Sequence, residues 1–368
     1  MSRDASRLPA VDVLKALACL LIVLHHLAFY GPMADIARPL MPDVIDFLDQ
    51  HARMAVQVFL VVSGFLFAGK FGPSGGQPTA PLDILIQRYT RLVVPFSAAL
   101  LLAIGCSALA GLWMEHRSIS ETPSLGQLLA HVLLLHDLLD QEALSAGVWY
   151  VAIDFQLFAL AILLLWMPKR FAGDHPAGRM LAPALIAGMT FASLFGFNRD
   201  ALWDESALYF FGSFGLGILC QWATRRPDAS LWLAALTAVA VAALAVDFRP
   251  RLAVATGVML FLGLAARSGF LHTLPLPDAL GRLSRISYSV FLVHFPLSLV
   301  VNAAVTALFP TQPLVNAIGM LVALGVSLAC GALFHRHIEC RPLPTHKRLL
   351  FPAGAVAGGW LATLALGG

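Results

Sequence analysis

The stretch GVWYVAIDFQLFALAILLLWM, residues 147–167, decides the class of fold. It runs for 21 residues and contains a single charged side chain, Asp154. A helix needs about 20 predominantly apolar residues to cross a bilayer, so this stretch predicts a membrane-spanning helix. A carboxylate is costly inside such a helix, which makes Asp154 a candidate functional residue.

The composition of the whole chain agrees with this stretch. Of the 368 residues, 59% are hydrophobic and only 12% are charged, and the mean hydropathy is +0.79. An average soluble domain has about 25% charged residues. Half that charge cannot cover a water-exposed surface, so the composition excludes a soluble enzyme and predicts an all-α polytopic membrane protein.

Eleven apolar windows predict a single transmembrane domain over residues 1–368, built as a bundle of about 10–11 helices. The stretch 125–139 is too short to span and predicts an interfacial or re-entrant helix. The eleven windows are 11–30, 54–71, 92–113, 148–167, 180–197, 206–223, 230–246, 252–271, 286–309, 314–335 and 349–366.

Charge and cysteine content exclude other classes of protein. The net charge is +3 and the basic residues are scattered, so no patch of the kind that binds nucleic acid is present. The five cysteines show no CxxC pairing, which argues against a disulfide framework or a zinc site. The first apolar run is not followed by a small-residue cleavage site, so we interpret it as a retained helix.

The distribution of basic residues predicts the orientation. If the N-terminus is cytoplasmic and the spans alternate, 17 of the 24 Lys and Arg lie on the cytoplasmic side and six lie outside. The positive-inside rule therefore favours a cytoplasmic N-terminus. Eleven spans would place the C-terminus outside, which depends on whether 349–366 crosses.

The first span carries three ionisable residues, Lys15, His25 and His26. Eleven residues separate Lys15 from His26, which at about 100° per residue returns them to nearly the same face of a helix. His25 points about 80° away. A cation and an imidazole on one face of a membrane-spanning helix favour a functional role for both residues. The alternative is a snorkelling lysine and a histidine bonded to a neighbouring helix.

Asp154 is expected at a depth similar to that of His26, because the first span ends on the side where 148–167 begins. A carboxylate that accepts from a histidine N–H fixes the tautomer and raises the basicity of the ring, as a general base requires. The alternative is that Asp154 pairs with another residue for structure alone. The residues leave both interpretations open.

Two further clusters lie on the predicted cytoplasmic side. Arg88 and Arg91, one turn apart before the third span, form a fork suited to phosphate groups, or are ordinary positive-inside anchors. Residues 335–339, HRHIE, could hold a metal, but His335 and His337 do not share a helical face, which favours a solvated charged turn.

Taken in order, these motifs resemble acyltransferase family 3, the integral-membrane acyltransferases that modify bacterial cell-envelope carbohydrates. The resemblance covers about residues 10–345, with the extra C-terminal helix 349–366 beyond it. Two features depart from the family: Asp154 stands where a glutamate is usual, and an eleventh helix is unusual because the family typically has about ten spans. With no SGNH-type esterase domain expected, the chain resembles the stand-alone members of the family. The matched motifs are Lys15 with His26, Ser63-Gly64, Arg88 and Arg91 with Pro95, Trp149 to Phe158, the SYS signature Ser287–Ser289 with His294 and Pro296, and Glu339 with Pro342.

The resemblance implies acyl transfer from cytoplasmic acyl-CoA, commonly acetyl-CoA, to a hydroxyl of a carbohydrate or lipid-linked glycan. It assigns catalytic roles to His26, as general base or transient acyl acceptor, and to Asp154. It implies no bound cofactor and no metal. The residues that it assigns to donor or substrate binding are Lys15, Arg88, Arg91, Ser63, Trp149, Tyr288 and His294.

The same resemblance implies a multi-pass protein of the bacterial inner membrane, in contact with membrane lipids. It leaves open whether the protein acts alone, as a homo-oligomer or with a periplasmic partner. A transporter of a lipid or sugar is the main alternative, and it would predict an internal repeat of spans, which is not found. A structural membrane subunit would not need Lys15 and His26 on one stripe.

Overall fold

The computed structural model of the protein describes residues 7–73, 76, 78–172, 176–342, 344–348 and 350–366. Arg3, one of the 17 basic residues predicted to lie on the cytoplasmic side, is outside these described ranges. The described residues form helices and no β-strand, apart from an isolated bridge between Phe71 and Gly76. The predicted all-α fold is confirmed.

Ten helices in the described part of the chain are long and apolar enough to cross a membrane. They correspond to the first ten predicted windows. In chain order they are α1 (Pro9–Phe29), α2 (Val56–Lys70), α3 (Pro81–Gly111), α4 (Val148–Ala172), α5 (Pro176–Phe195), α6 (Ala207–Thr224), α7 (Ala229–Val246), α8 (Pro250–Ser268), α9 (Asp278–Leu308) and α10 (Pro313–Phe334).

The remaining helices are shorter. The eleventh window forms α11 (Leu350–Leu366), whose 17 residues extend about 26 Å at 1.5 Å per residue, less than the roughly 30 Å hydrocarbon core. The stretch 125–139 folds as a helix over Leu125–Val132 and a 3₁₀ turn over Asp137–Leu139. As predicted, neither is long enough to span the membrane. Further short helices are Pro32–Ala37, Pro42–Gln50 and Phe270–Thr273.

The chain divides into two compact units. The first comprises the residues up to Ala18 together with Met54–Gln87 and Ile153–Ser284, and the second comprises Cys19–Arg53, Arg88–Ala152 and the chain from Arg285 onward. Helix α1 belongs to both units, because it contributes its first half to one and its second half to the other. The first unit contains α2 and α5–α8, and the second contains α10, α11 and most of α3 and α9.

A close crossing of α2 and α6 organises the first unit. A Cβ atom on Gly64 would overlap the backbone carbonyl of Phe214, and one on Gly217 would overlap the carbonyl of Val61. Small residues allow helix backbones to approach this closely inside a membrane. Beside the crossing, Ser213 donates a hydrogen bond of 2.7 Å to the amide oxygen of Gln57, which satisfies two polar side chains within apolar helices.

The substitution Gly64→Ala should destabilise the first unit by about 1–3 kcal/mol, the usual cost of overpacking, because α2 and α6 would have to separate. Thermal unfolding of the purified protein in detergent measures the effect. Gly105→Ala is the control, since no atom lies within 4 Å of the added methyl group and alanine is the better helix former. Equal unfolding temperatures for Gly64→Ala and the wild type would show that the crossing does not limit stability.

In the second unit, two fully buried histidines hold the segment that follows α3. The rings of His131 and His136 stack with their centroids 4.2 Å apart. His131 donates from Nδ1 to the carbonyl of Gln127 at 2.8 Å and accepts at Nε2 from the backbone N–H of Leu144 at 3.1 Å. Only a neutral ring satisfies both bonds, because the imidazolium has no acceptor.

Burial lowers the pKa of His131 to about 4, and burial together with the charge on His131 lowers the pKa of His136 to about 3. Asp137 lies 3.5 Å from the His136 ring. In the unfolded chain both histidines titrate near 6.5, so the unfolded state binds more protons below that value. The contribution of these two neutral histidines to the free energy of unfolding is therefore fully present above pH 6.5. It is lost as the pH falls, by about 2 kcal/mol per histidine at pH 5.

We therefore expect the unfolding temperature to fall between pH 6.5 and pH 4, and the variant His136→Leu to show a smaller fall. Thermal unfolding across this pH range measures both slopes. His337→Asn, which removes an exposed histidine, serves as the control and should keep the wild-type slope. If His136→Leu and the wild type showed the same slope, the pH dependence of stability could not be attributed to His136.

Candidate functional site

The second unit brings together a histidine of α1 and a histidine of α9. His26 Nδ1 lies 2.6 Å from His294 Nε2, and the two rings are nearly parallel with centroids 4.9 Å apart. Their positions differ by 268 residues along the chain. Both residues were candidates from the sequence, His26 as a catalytic residue and His294 as a binding residue, and the structure makes them a pair.

The backbone of α9 determines which nitrogen of each ring carries a proton. His294 Nδ1 lies 2.7 Å from the carbonyl oxygen of Phe291 and 3.2 Å from that of Val290. A carbonyl only accepts, so Nδ1 carries the proton and Nε2 of the neutral ring is an acceptor. His26 therefore donates to it from Nδ1, which leaves His26 Nε2 with a free lone pair. This assignment follows from the hydrogen-bond network.

The two rings differ in their exposure. His294 is fully buried, whereas His26 is half-buried. Tyr30 and Phe295 present their edges to the His26 ring, with centroids at 5.4 and 6.2 Å. These aromatic contacts restrict the orientation of the His26 ring.

His25 has a different role from its neighbour. It is buried, and its Nδ1 donates to the carbonyl of Leu48 at 3.0 Å. The contact ties α1 to the short helix Pro42–Gln50 in the same unit. This separation of the two histidines agrees with the helical spacing, which placed His26 on the stripe of Lys15. Lys15 itself is half-buried on α1.

Asp154 is held in the first unit by Ser63, another residue singled out from the sequence. The Ser63 hydroxyl donates to Asp154 Oδ1 at 2.9 Å, and Asp154 is only 6% exposed. This bond joins α2 to α4. The predicted pairing of Asp154 with His26 would connect residues of the two units, and it stays a prediction.

The remaining candidates of the second unit lie on α3, α4 and α9. Tyr288 donates from its hydroxyl to the carbonyl of Leu92 at 3.0 Å. This bond places the SYS signature of α9 beside the segment of α3 that carries Arg88 and Arg91. Arg91 is exposed and Arg88 is half-buried. Trp149, also half-buried, makes an edge contact with the neighbouring ring of Tyr150.

Aromatic contacts continue from α4 to the histidine pair within the second unit. The ring of Tyr150 lies 5.4 Å from that of Phe291, which in turn lies 5.9 Å from His294. Gly147 has a φ of +90°, and a Cβ there would press on the Phe291 ring. The glycine thus allows α4 to begin close to α9.

The chemical capacity of the described site lies in its imidazole nitrogens. Within the described ranges, no group of three or more His, Cys, Asp or Glu is placed to hold a metal ion. The lone pair of His26 Nε2 can take a proton or attack a carbonyl carbon. Sequence reasoning missed the pairing of His26 with His294, because nothing in either helix alone indicates its neighbour.

Comparisons with known proteins address the family. The family model described as an acyltransferase domain, Acyl_transf_3, matches residues 8–336. A curated relative, "Regulator of hypoxia-inducible factor 1" of Caenorhabditis elegans, is 23% identical over 183 residues, which cover 46% of this chain and 36% of that protein. The chain thus spans about a third of the length of that relative. No solved structure matches.

Proposed function

Because this chain belongs to acyltransferase family 3, we propose that it is a membrane O-acyltransferase that moves an acetyl group from acyl-CoA to a hydroxyl of a cell-envelope carbohydrate. The observation that carries the proposal is the hydrogen bond between His26 and His294. It leaves an unprotonated nitrogen on a half-buried ring, as general-base catalysis requires.

The chemical step follows from that proton arrangement. His26 Nε2 takes the proton of the acceptor hydroxyl while the oxygen attacks the acyl carbonyl carbon. The bond from that carbon to the CoA sulfur breaks, and the thiolate takes up the proton. His294 holds the positive charge in place by accepting from His26 Nδ1 throughout. In the covalent alternative Nε2 attacks the carbonyl carbon and the CoA thiolate leaves. The acceptor hydroxyl then attacks the acyl group on Nε2, the bond from Nε2 to that carbon breaks, and the hydroxyl proton passes to the thiolate.

The other candidate residues take supporting roles in this proposal. Arg88 and Arg91 bind the phosphates of the donor, and Lys15 lines its approach along α1. Asp154, held by Ser63, is the proposed second catalytic group. The orientation follows the charge distribution, with a cytoplasmic N-terminus in a bacterial inner membrane. A membrane location is supported by the ten helices in the described part of the chain that are long and apolar enough to span a bilayer.

The test of the function is acetyl-CoA turnover by the purified protein in detergent. Slow release of free thiol in the absence of an acceptor, with water in the place of the hydroxyl, is the expected result. Acetylated carbohydrate should also disappear from cells that lack the gene. A purified, folded protein that releases no thiol and a deletion strain with unchanged carbohydrate would together contradict the proposal.

The variants Arg88→Ala and Arg91→Ala should each weaken the use of the donor without unfolding the protein. A charge-assisted contact to phosphate contributes about 1.5–3 kcal/mol, so the KM for acetyl-CoA should rise roughly tenfold to a hundredfold. Arg225→Ala, which removes an exposed arginine elsewhere, is the matched control. An unchanged KM in both variants would reduce the pair to orientation anchors.

A further inference from the structure

Four polar side chains form a continuous hydrogen-bonded cluster where α10 ends. Cys340 Sγ lies beside the His335 ring, 3.2 Å from Nε2 and 3.9 Å from Nδ1, and His335 Nδ1 lies 2.9 Å from Glu339 Oε2. Ser289 of α9 donates from its hydroxyl to the same carboxylate oxygen at 2.6 Å. All four residues belong to the second unit. We call Cys340, His335 and Glu339 the thiol triad.

A change of helix type makes this cluster possible. Residues His335–Glu339 form a π-helical turn, closed by a 2.9 Å bond from the N–H of Cys340 to the carbonyl of His335. In a continued α-helix, a residue five positions on would point about 140° away from His335. The wider turn brings Cys340 back beside it. Such π-turns occur frequently at functional sites.

The protons of the triad follow from the same reasoning as those of the histidine pair. A carboxylate only accepts, so His335 Nδ1 donates to Glu339 and Nε2 of the neutral ring is free to accept from the thiol. The cluster therefore orders a nucleophile, a base and a group that orients the base. This is the signature of an activated cysteine.

The thiol is accessible and depends on its base. Of the five cysteines, all of which the structure describes, only Cys340 is exposed. Partial burial and the charge of Glu339 raise the pKa of Cys340, and the guanidinium of Arg91 acts in the opposite direction. At neutral pH the sulfur therefore carries its proton at rest, and attack on an acyl group requires His335 to remove it.

The influence of Arg91 also indicates which molecule would meet the thiol. Arg91 is exposed and, within the second unit, lies close enough for its charge to act on Cys340. It is one of the two arginines to which we assign the donor phosphates. Two more basic residues are exposed, Arg336, which lies between His335 and Glu339 in the sequence, and Arg341, which follows Cys340. An anionic thioester is the class of molecule that this combination suits.

We propose that the thiol triad accepts the acyl group of acyl-CoA on Cys340 as a transient thioester. The inference rests on the proposed function, since that function supplies the donor. It adds a second acyl acceptor, separate from His26, at the end of α10. The protein then releases CoA before the acyl group reaches the carbohydrate.

The step balances without a further reactant. The Cys340 thiol gives its proton to His335 Nε2, and the sulfur attacks the carbonyl carbon of the acyl-CoA. The bond between that carbon and the CoA sulfur breaks, and the CoA thiolate takes the proton from His335. One thioester replaces another, so little free energy changes and the transfer is reversible.

Radiolabelled acetyl-CoA tests the thioester on the full-length protein in detergent. Without an acceptor we expect a rapid release of up to one CoA per protein, followed by slow turnover, and label on the peptide that contains Cys340. Neutral hydroxylamine should remove this label, as it cleaves thioesters. Cys340→Ala and His335→Gln should each lose the rapid phase and the label on that peptide.

Two matched variants serve as controls. Cys330→Ala removes a half-buried cysteine of α10, and His337→Gln removes an exposed histidine two residues from His335. Both should keep the rapid phase and the label. Label that persists in Cys340→Ala, or a wild-type protein that turns over acetyl-CoA with no label on Cys340, would overturn the thioester and leave the proposed function intact.

Alkylation of the thiol by iodoacetamide separates this inference from failure of the proposed function. If His335 activates Cys340, the wild type should react about tenfold faster at pH 7 than His335→Gln. Equal rates would overturn the triad whatever the protein does with acetyl-CoA. A wild type that alkylates rapidly but releases no thiol from acetyl-CoA would overturn the thioester, and unchanged carbohydrate in the deletion strain would then overturn the proposed function as well.

Discussion

Replacing His26 with glutamine should lower acyl transfer by about 10²–10⁴, the typical contribution of a general base. The glutamine amide can still hydrogen-bond to His294, but it has no nitrogen able to take a proton at neutral pH. Loss of a covalent acyl-histidine would cost at least as much. Turnover of acetyl-CoA per folded molecule, with the folded fraction taken from size-exclusion chromatography, measures the effect.

Two further variants separate chemistry from packing. His26→Ala should be as inactive as His26→Gln, while His25→Ala should keep turnover within a few-fold once the amount of folded protein is matched. His25 donates to the carbonyl of Leu48 and is buried, so its loss should affect stability. An active His26→Gln protein would remove the centre of the proposed mechanism and leave the fold and the family assignment standing.

Much of the fold follows from local sequence, because in a membrane each helix satisfies its own backbone. Length and hydropathy alone therefore located the ten long helices, including the 21-residue α1. The same regularity separated His26 from His25, since a helix of 3.6 residues per turn fixes which side chains share a face. The window 349–366 shows the limit, because its hydropathy does not decide whether the described helix Leu350–Leu366 crosses the membrane.

The pairings between helices could not be read from the sequence. His26 and His294 lie 268 positions apart, and each appears in its own helix as an isolated polar residue. The pairing that the sequence suggested, of Asp154 with His26, stays a prediction, and the observed partner of His26 Nδ1 is the imidazole of His294. Only the three-dimensional packing, together with the carbonyl of Phe291, determines which nitrogen keeps its lone pair.

The thiol triad escaped sequence reasoning for a related reason. The sequence indicates only His335 and His337 as a possible pair, which do not share a helical face, and an α-helical reading would also separate Cys340 from His335 by about 140°. The π-helical turn instead brings Cys340 beside His335. Motif spacing predicts which side chains lie together only while the number of residues per helical turn is constant. Here that number changes at the π-helical turn, which is where the thiol triad lies.

His294→Leu should lower kcat by about 10- to 100-fold, the usual contribution of a partner that orients a functional histidine. Leucine fills a similar volume but cannot accept from His26 Nδ1, so the His26 ring can rotate or exchange its proton between nitrogens. The fraction of molecules with the lone pair on Nε2 then falls. The KM for acetyl-CoA should stay unchanged, because His294 is buried and acts through His26.

His294→Gln provides the matched comparison, since its amide oxygen can accept the bond that leucine cannot, and part of the activity should return. A purely structural histidine predicts a different result. In that case His294→Leu would reduce the amount of folded protein while each folded molecule kept its kcat, and glutamine would offer no rescue. Measuring kcat, KM and folded yield for both variants therefore decides whether the pair of histidines is a positioned base or a packing contact.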